Sequence, residues 1–271
     1  MKTVLLSFDT EEFDVPKEHG VDFSLDEGIN VSVEGTNRIL DVLKETGVIA
    51  TFFCTGNFIR KAPDVIKRLL NEGHELACHG VDHWKPRETD FKESKKIAEE
   101  FLKSAAIRRQ DKVYGYRQPR MFAVSDNEIA GAGYMYNSSL NPAFIPGRYM
   151  HLTTPRVCFM KEGVLQIPAS VTPLFRIPLF WLSLHNFPES FYYFLVKRTM
   201  NHDGHFVTYF HPWEFVELKL HPEWKMPFII KNHSGKQMAE RLRRLILKLK
   251  ADGCEFSDYR TFAEKKILEL Q

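Results

Sequence analysis

Two histidines four residues apart, His79 and His83 in ELACHGVDHW, stand directly after a short apolar run. If that segment turns helically, both imidazoles project the same way, and neutral imidazole is a favoured ligand of zinc and similar metals. The spacing alone is weak evidence, because most such pairs bind nothing. The first apolar run, however, ends in four carboxylates, Asp9, Glu11, Glu12 and Asp14. Such groups could complete a site of two histidines and one carboxylate. Crowded like charges cost stability unless a cation or an arginine offsets them, and a solvated acidic loop is the plain alternative. Alternate residues of an extended strand end share a side, so Asp9 and Glu11 can act together while Thr10 and Glu12 point away.

Two further groups follow other short runs. Arg117 lies in GYRQPRM, where Pro119 fixes the local turn. A permanently charged guanidinium there could hold Asp9 ionised and oriented, although a lone loop arginine is usually just solvated. His211 ends the run FVTYF and precedes Pro212 and Trp213. A histidine at that place suits a proton donor, or equally a strand-end hydrogen bond.

The elements needed to position these groups are legible as alternation. Short apolar runs at 2–8, 48–54, 74–78, 113–116, 134–137, 206–210 and 254–256 read as strands. Between them, helical spacing appears at 32–45, 62–70, 91–107, 125–132 and 237–250, with a final helix after the last strand. From Asn141 to Phe191 seven prolines, Pro142, Pro146, Pro155, Pro168, Pro173, Pro178 and Pro188, break any long element. The segment reads as an elaboration of one domain spanning 1–271. Repeated strand–helix units imply a parallel sheet with helices outside, closed as a barrel or open and doubly wound, and active groups in both collect at the C-terminal strand ends.

With 271 residues and 44% hydrophobic content the chain can bury a sizeable core. Lysine and arginine number 37 against 35 acidic residues, a net charge of +2 that gives no reason to expect nucleic acid as a partner. Cys54, Cys78, Cys158 and Cys254 form no CxxC pair and fit buried free thiols. The initial apolar run is too short for a secretion signal, and no later run would span a bilayer, so a cytoplasmic location is expected.

Taken in order, FDTEEFD, HGVDH, YRQP, YNSSL and YFHPWEF resemble the motif series of the polysaccharide deacetylase family, the NodB-homology carbohydrate esterases of the DxE and HPWE style, over residues 3 to about 215. The resemblance implies an α/β fold, a distorted (β/α) barrel, and hydrolysis of the N-acetyl group of an amino sugar with a divalent metal, Zn2+ or another transition metal. It implies Glu11, His79 and His83 as metal ligands, Asp9 as catalytic base, Arg117 as its tether and His211 as general acid. Glu12 is a rival ligand, a backbone N–H near Arg120 an oxyanion donor, and Trp213 an accessory. The sequence departs from the family pattern at Thr10, where a metal-binding aspartate is usual, and at Met121, where glycine is common. It departs again at Asn137, where an aspartate often pairs with the arginine, so Arg117 is expected to lose one support.

Two other readings stand beside this one: a relative that hydrolyses a non-sugar amide, and a barrel that binds glycan without catalysis. The aromatic run Phe175, Ile177, Leu179, Phe180, Trp181, Leu182, Leu184, Phe187, Phe191, Tyr192 and Tyr193 could cover the barrel, wall a sugar cleft, or meet a lipid-linked substrate, a membrane surface or a second subunit.

Overall fold

The computed structural model of the chain describes all residues except 1, 86, 88, 89, 107, 108, 146–148 and 151. Pro146, and Ile107 as the expected end of a helix, therefore lie outside the described residues. The first half alternates β1 (Thr3–Thr10), α1 (Val15–Glu18), α2 (Leu25–Thr46), β2 (Thr51–Cys54), α3 (Gly56–Lys61), α4 (Pro63–Asn71), β3 (Glu75–Cys78), α5 (Asp90–Ser104), β4 (Gly115–Tyr116), α6 (Asp126–Gly131) and β5 (Tyr136–Asn137). There follow β6 (Phe144–Ile145), β7 (Tyr149–Met150), β8 (Phe159–Lys161), β9 (Val164–Gln166), α7 (Trp181–Asn186), α8 (Glu189–Asp203) and β10 (His205–Phe210). The chain closes with α9 (Phe228–Lys231), α10 (Lys236–Ala251), β11 (Glu255–Ser257) and α11 (Tyr259–Leu270).

The main sheet runs β10-β1-β2-β3-β4-β5-β9-β8, with β11 also on β1. Every pairing in it is parallel except β8 with β9. It curls into a distorted barrel. Ser170 spans the gap to β10, donating its backbone N–H to the Val207 carbonyl at 2.9 Å and accepting from the Val207 N–H at 2.9 Å. The segment between residues 141 and 191 is thus more regular than its prolines suggest. Its strands are only two or three residues long, too short for a period to register.

Alternation along the strands divides the core in two. Val4, Leu6 and Phe8 of β1, Phe52 and Cys54 of β2, and Leu76 and Cys78 of β3 pack outward against the helices. Leu5, Phe53, Ala77 and Val207 face the barrel interior with Tyr136, Leu165 and Tyr259. A period of two therefore carries Ser7 and Asp9 to the same side as Leu5, and His79 to the side of Ala77. Most of the aromatic run covers the barrel: Leu179, Phe180, Trp181, Leu184 and Tyr192 are buried, whereas Phe175 and Phe191 are exposed. No described helix is long and apolar enough to cross a membrane. All four cysteines are free.

Helix α2 begins well before Ser32, because Ser24 and Glu27 form a capping box: Ser24 Oγ accepts from the Glu27 N–H at 3.2 Å, and the Glu27 carboxylate accepts from the Ser24 N–H at 2.8 Å. This helix runs against the turn after β10. A Cβ added to Gly35 would lie 1.8 Å from the Pro212 carbonyl oxygen, so only glycine permits the approach that seats His211 and Trp213.

One buried carboxyl lies at the opposite end of the barrel. Glu75 accepts from Thr51 Oγ1 at 2.7 Å, Tyr136 Oη at 2.8 Å and the Arg260 N–H at 3.1 Å. Burial and the nearby Asp258 charge nevertheless push it from 4.5 up to about 7. The folded chain thus binds a proton that the unfolded chain has already released, so stability falls as pH rises from about 4.5 through about 7. Glu75→Gln keeps acceptors and donors for the same partners. Its gain over wild type in urea denaturation is expected to grow from little at pH 5 to about 3 kcal/mol at pH 8. A gain independent of pH would show that Glu75 is not the titrating group.

Candidate metal and catalytic site

Glu11 lies just past the end of β1 and is almost fully buried. Its Oε2 is 3.3 Å from His79 Nε2 and 3.1 Å from His83 Nε2, and among the described residues it has no hydrogen bond of good geometry. The three candidate ligand atoms lie within 4.8 Å of one another. Donors at 2.0–2.1 Å from one tetrahedral ion would be about 3.3 Å apart, so the residues present fit a divalent cation. The outer nitrogens of both imidazoles are already engaged. His79 Nδ1 is 2.8 Å from the Arg117 carbonyl and His83 Nδ1 2.8 Å from Asp14 Oδ2, which leaves Nε2 of each for Glu11's side of the site.

The two histidines do not meet by a helical turn. Residues 79–85 form an irregular loop with bends at 81 and 83–85 and Gly80 at φ 71°, a left-handed conformation that glycine adopts without penalty. The carbonyls of Gly80 and Val81 accept from the N–H groups of Gly56 and Asn57 at 2.9 and 3.0 Å. The first turn of α3 has these donors to spare, and it thereby pins the loop and stacks the His79 and His83 rings 5.8 Å apart.

Glu12 points away from this cluster. It accepts from Thr55 Oγ1 at 2.7 Å, Asn57 Nδ2 at 3.1 Å and the His83 backbone N–H at 2.9 Å. Its place is therefore to brace the histidine loop. Thr10 is buried with its hydroxyl directed back toward the Phe8 carbonyl.

Electrostatically the cluster calls for positive charge. Burial alone would raise Glu11, but the charges of His83, His211 and His79 hold it at about 2. Burial would lower His83, yet Glu11 and Asp14 push it up to about 9. A proton on His83 thus stands where a cation would compensate the same carboxylate.

Arg117 has no exposed surface and lies over the Phe53 ring at 4.0 Å. One nitrogen donates to Asp9 Oδ1 and, at 3.0 Å, to Ser7 Oγ. The others reach the Ser138 carbonyl at 3.1 Å, Ser138 Oγ at 3.0 Å and Tyr259 Oη at 3.0 Å. Burial opposes its charge, but Asp9 keeps the guanidinium protonated. Asn137 does not approach the arginine. It accepts from Ser139 and donates to Asp126 at 3.3 Å, facing α6, where a second carboxylate would meet Asp126 with like charge. Ser7, Ser138 and Tyr259 supply the support that the departure at position 137 was expected to remove. They lie far from Arg117 in sequence, and no spacing announces them.

Arg120 and Met121 both have left-handed backbone, at φ 58° and 54°, which explains why glycine suits position 121. The Arg120 side chain bonds Glu18 and, at 3.2 Å, the same Asp14 oxygen that meets His83. Past β10, His211 stacks on Trp213 at 5.0 Å, and Trp213 Nε1 donates to Glu11 Oε1 at 3.4 Å. Burial lowers His211 while Glu11, Glu214 and Asp9 raise it, and the net direction is upward. Asp14 was visible in the acidic cluster, and Glu214 in HPWE, without a role assigned to either.

A family model described as polysaccharide deacetylase matches residues 2–128. Peptidoglycan-N-acetylmuramic acid deacetylase PdaA of Bacillus subtilis is 46% identical over 48 residues, 18% of this chain and 18% of that protein. The matched stretch thus spans about a fifth of that relative's length. A Mycobacterium smegmatis crystal structure described as a polysaccharide deacetylase superimposes with a TM-score of 0.66 and 18% identity, covering 99% of this chain and 91% of its own. A CE4 family pseudoenzyme from Bacillus anthracis superimposes at 0.52 with 15% identity, covering 97% and 66%. These two are likenesses of fold.

Proposed function

We propose that this chain, whose residues 2–128 match the polysaccharide deacetylase family model, removes the N-acetyl group of an amino sugar with a divalent metal bound by Glu11, His79 and His83. The observation that carries the reading is the buried Glu11 oxygen between two Nε2 atoms, next to a carboxylate tied to a buried arginine. Zinc at these ligands would supply Lewis acidity toward the acetyl oxygen and lower the pKa of water.

The chain's own residues do the rest. The guanidinium engages Asp9 through Oδ1, which orients the carboxylate and leaves Oδ2 to take the proton of the attacking water. Water oxygen adds to the acetyl carbon, and the carbon–nitrogen bond then breaks. His211 gives a proton to the departing amine, so that acetate and a free amino sugar result. Its ring is fixed for this by Trp213 on one face and by Trp181 edge-on at 5.4 Å. Trp213 also ties the acid's turn to Glu11, so the metal ligand and the proton donor are set by one hydrogen bond.

The substrate is an N-acetylated sugar of a polysaccharide or of a glycan precursor, as the name of the peptidoglycan relative suggests. The pseudoenzyme among the fold neighbours makes the non-catalytic reading specific enough to test. Chelator-treated protein should release no acetate from N-acetylglucosamine oligomers, and one equivalent of Zn2+ should restore release. Release that is indifferent to chelation would favour metal-free amide hydrolysis, and none with metal bound would favour a glycan-binding barrel.

A further inference from the structure

The proline-rich segment supplies one side chain that the scheme above leaves unused. His185 of α7 is fully buried. Its Nδ1 lies 2.5 Å from the Asn232 carbonyl oxygen and its Nε2 3.0 Å from Glu214 Oε2. A carbonyl only accepts, so Nδ1 carries a proton, and Nε2 shares another with Glu214. The other oxygen of the same carboxylate, Oε1, lies 2.6 Å from the backbone nitrogen of His211 and 2.9 Å from its Nδ1. An oxygen that already accepts from one N–H accepts from the ring as well, so Nδ1 of His211 is protonated and Nε2 is turned from Glu214. One carboxylate, itself without exposed surface, thus joins two imidazoles.

The outer histidine is anchored independently of the site. Its backbone carbonyl lies 2.6 Å from Nδ1 of His233, and Arg241 of α10 donates to the neighbouring carbonyls of Leu184 at 2.9 Å and Phe187 at 2.5 Å. Trp181 packs edge-on against both rings, 5.8 Å from His185 and 5.4 Å from His211. The arrangement spans α7, the loop after α9 and the turn after β10, so it is not a local consequence of the HPWE order.

Resting on the deacetylase reading, we propose that Glu214 and His185 are positioning residues for His211: Glu214 fixes it as the Nδ1–H tautomer, and His185 takes up enough of Glu214's charge to keep that proton donor from being locked as a permanent cation. A buried carboxylate held by His211 alone would bind the imidazolium form too tightly to release its proton on the substrate amine. The groups that face His211 are Glu214 from its own turn, Asp9 and Glu11 from the end of β1, and His185 across the carboxylate.

The two members act in opposite senses, and a purely structural role would not. In the 15N-histidine-labelled chain at one fixed metal content, wild-type His211 should be the Nδ1–H tautomer. Glu214→Leu should lower its titration midpoint by about a unit or more and mix the tautomers. His185→Leu should raise the midpoint and keep Nδ1–H. If His185→Leu does not fold, His185→Gln, which keeps a donor toward Glu214 without the charge, gives the same upward shift. For acetate release, Glu214→Leu should lower kcat about a hundredfold with little change in KM. Midpoints that move the same way in both variants, or a wild-type Nε2–H tautomer, would overturn the proposal. The spectra need no turnover, so a chain that releases no acetate removes the deacetylase reading while this assignment is still decided.

Discussion

Asp9→Asn should abolish acetate release while leaving the affinity for Zn2+ within a few-fold of wild type. The amide is nearly isosteric and can still accept from Arg117, but it cannot take the proton of water, and loss of general-base catalysis costs about 10²- to 10⁴-fold in kcat. The substitution also strips a buried guanidinium of its counter-charge, for which breaking a buried pair suggests about 3–5 kcal/mol of stability. Ser7, Ser138 and Tyr259 still hold the arginine, so the chain should fold and melt at a lower temperature. Rates and metal titrations belong well below that melt. Zinc affinity lost in step with activity would make Asp9 a ligand and overturn the division of labour between Asp9 and Glu11.

Exchange of Glu11 and Glu12 for glutamine should separate two neighbours of the same type. Glu11→Gln removes the only carboxylate facing both Nε2 atoms among the described residues, and stoichiometric zinc binding should disappear at micromolar protein. Glu12→Gln touches no candidate ligand atom. It weakens the acceptor for Thr55, Asn57 and the His83 N–H, and should cost about 10- to 100-fold in affinity, the usual scale for residues that orient ligands. Equal losses from both, or the larger loss from Glu12, would move the carboxylate ligand by one residue.

The strand ends were legible because one simple rule places them. In β1 the buried alternation continues through Ser7 and Asp9, and parity at its end separates Glu11 from Glu12 as the extended-strand argument expected. The way His79 and His83 meet was not legible. A four-residue spacing suggests a helix, whereas the chain uses bends, a left-handed Gly80 and the first N–H groups of α3. Asn137 in place of an aspartate was expected to cost Arg117 a support, yet the arginine is held by Ser138, one residue on, with Ser7 and Tyr259 from opposite ends of the chain. Contacts of that separation have no period to betray them. The capping box at Ser24 and Glu27 was present in plain spelling, and α2 starts there. His185 was hidden differently: a single histidine in an aromatic run is ordinarily just packed, and only the carboxylate behind His211 gives it a partner.

Anomalous diffraction at the zinc edge, from crystals of the chain grown with one equivalent of Zn2+, locates the ion among the candidate ligands directly. One ion is expected, bonded to Glu11, His79 Nε2 and His83 Nε2, with Asp9 on Arg117 and outside the ligand set. An ion bonded to Asp9 or Glu12, or zinc found only away from the two histidines, would contradict this assignment.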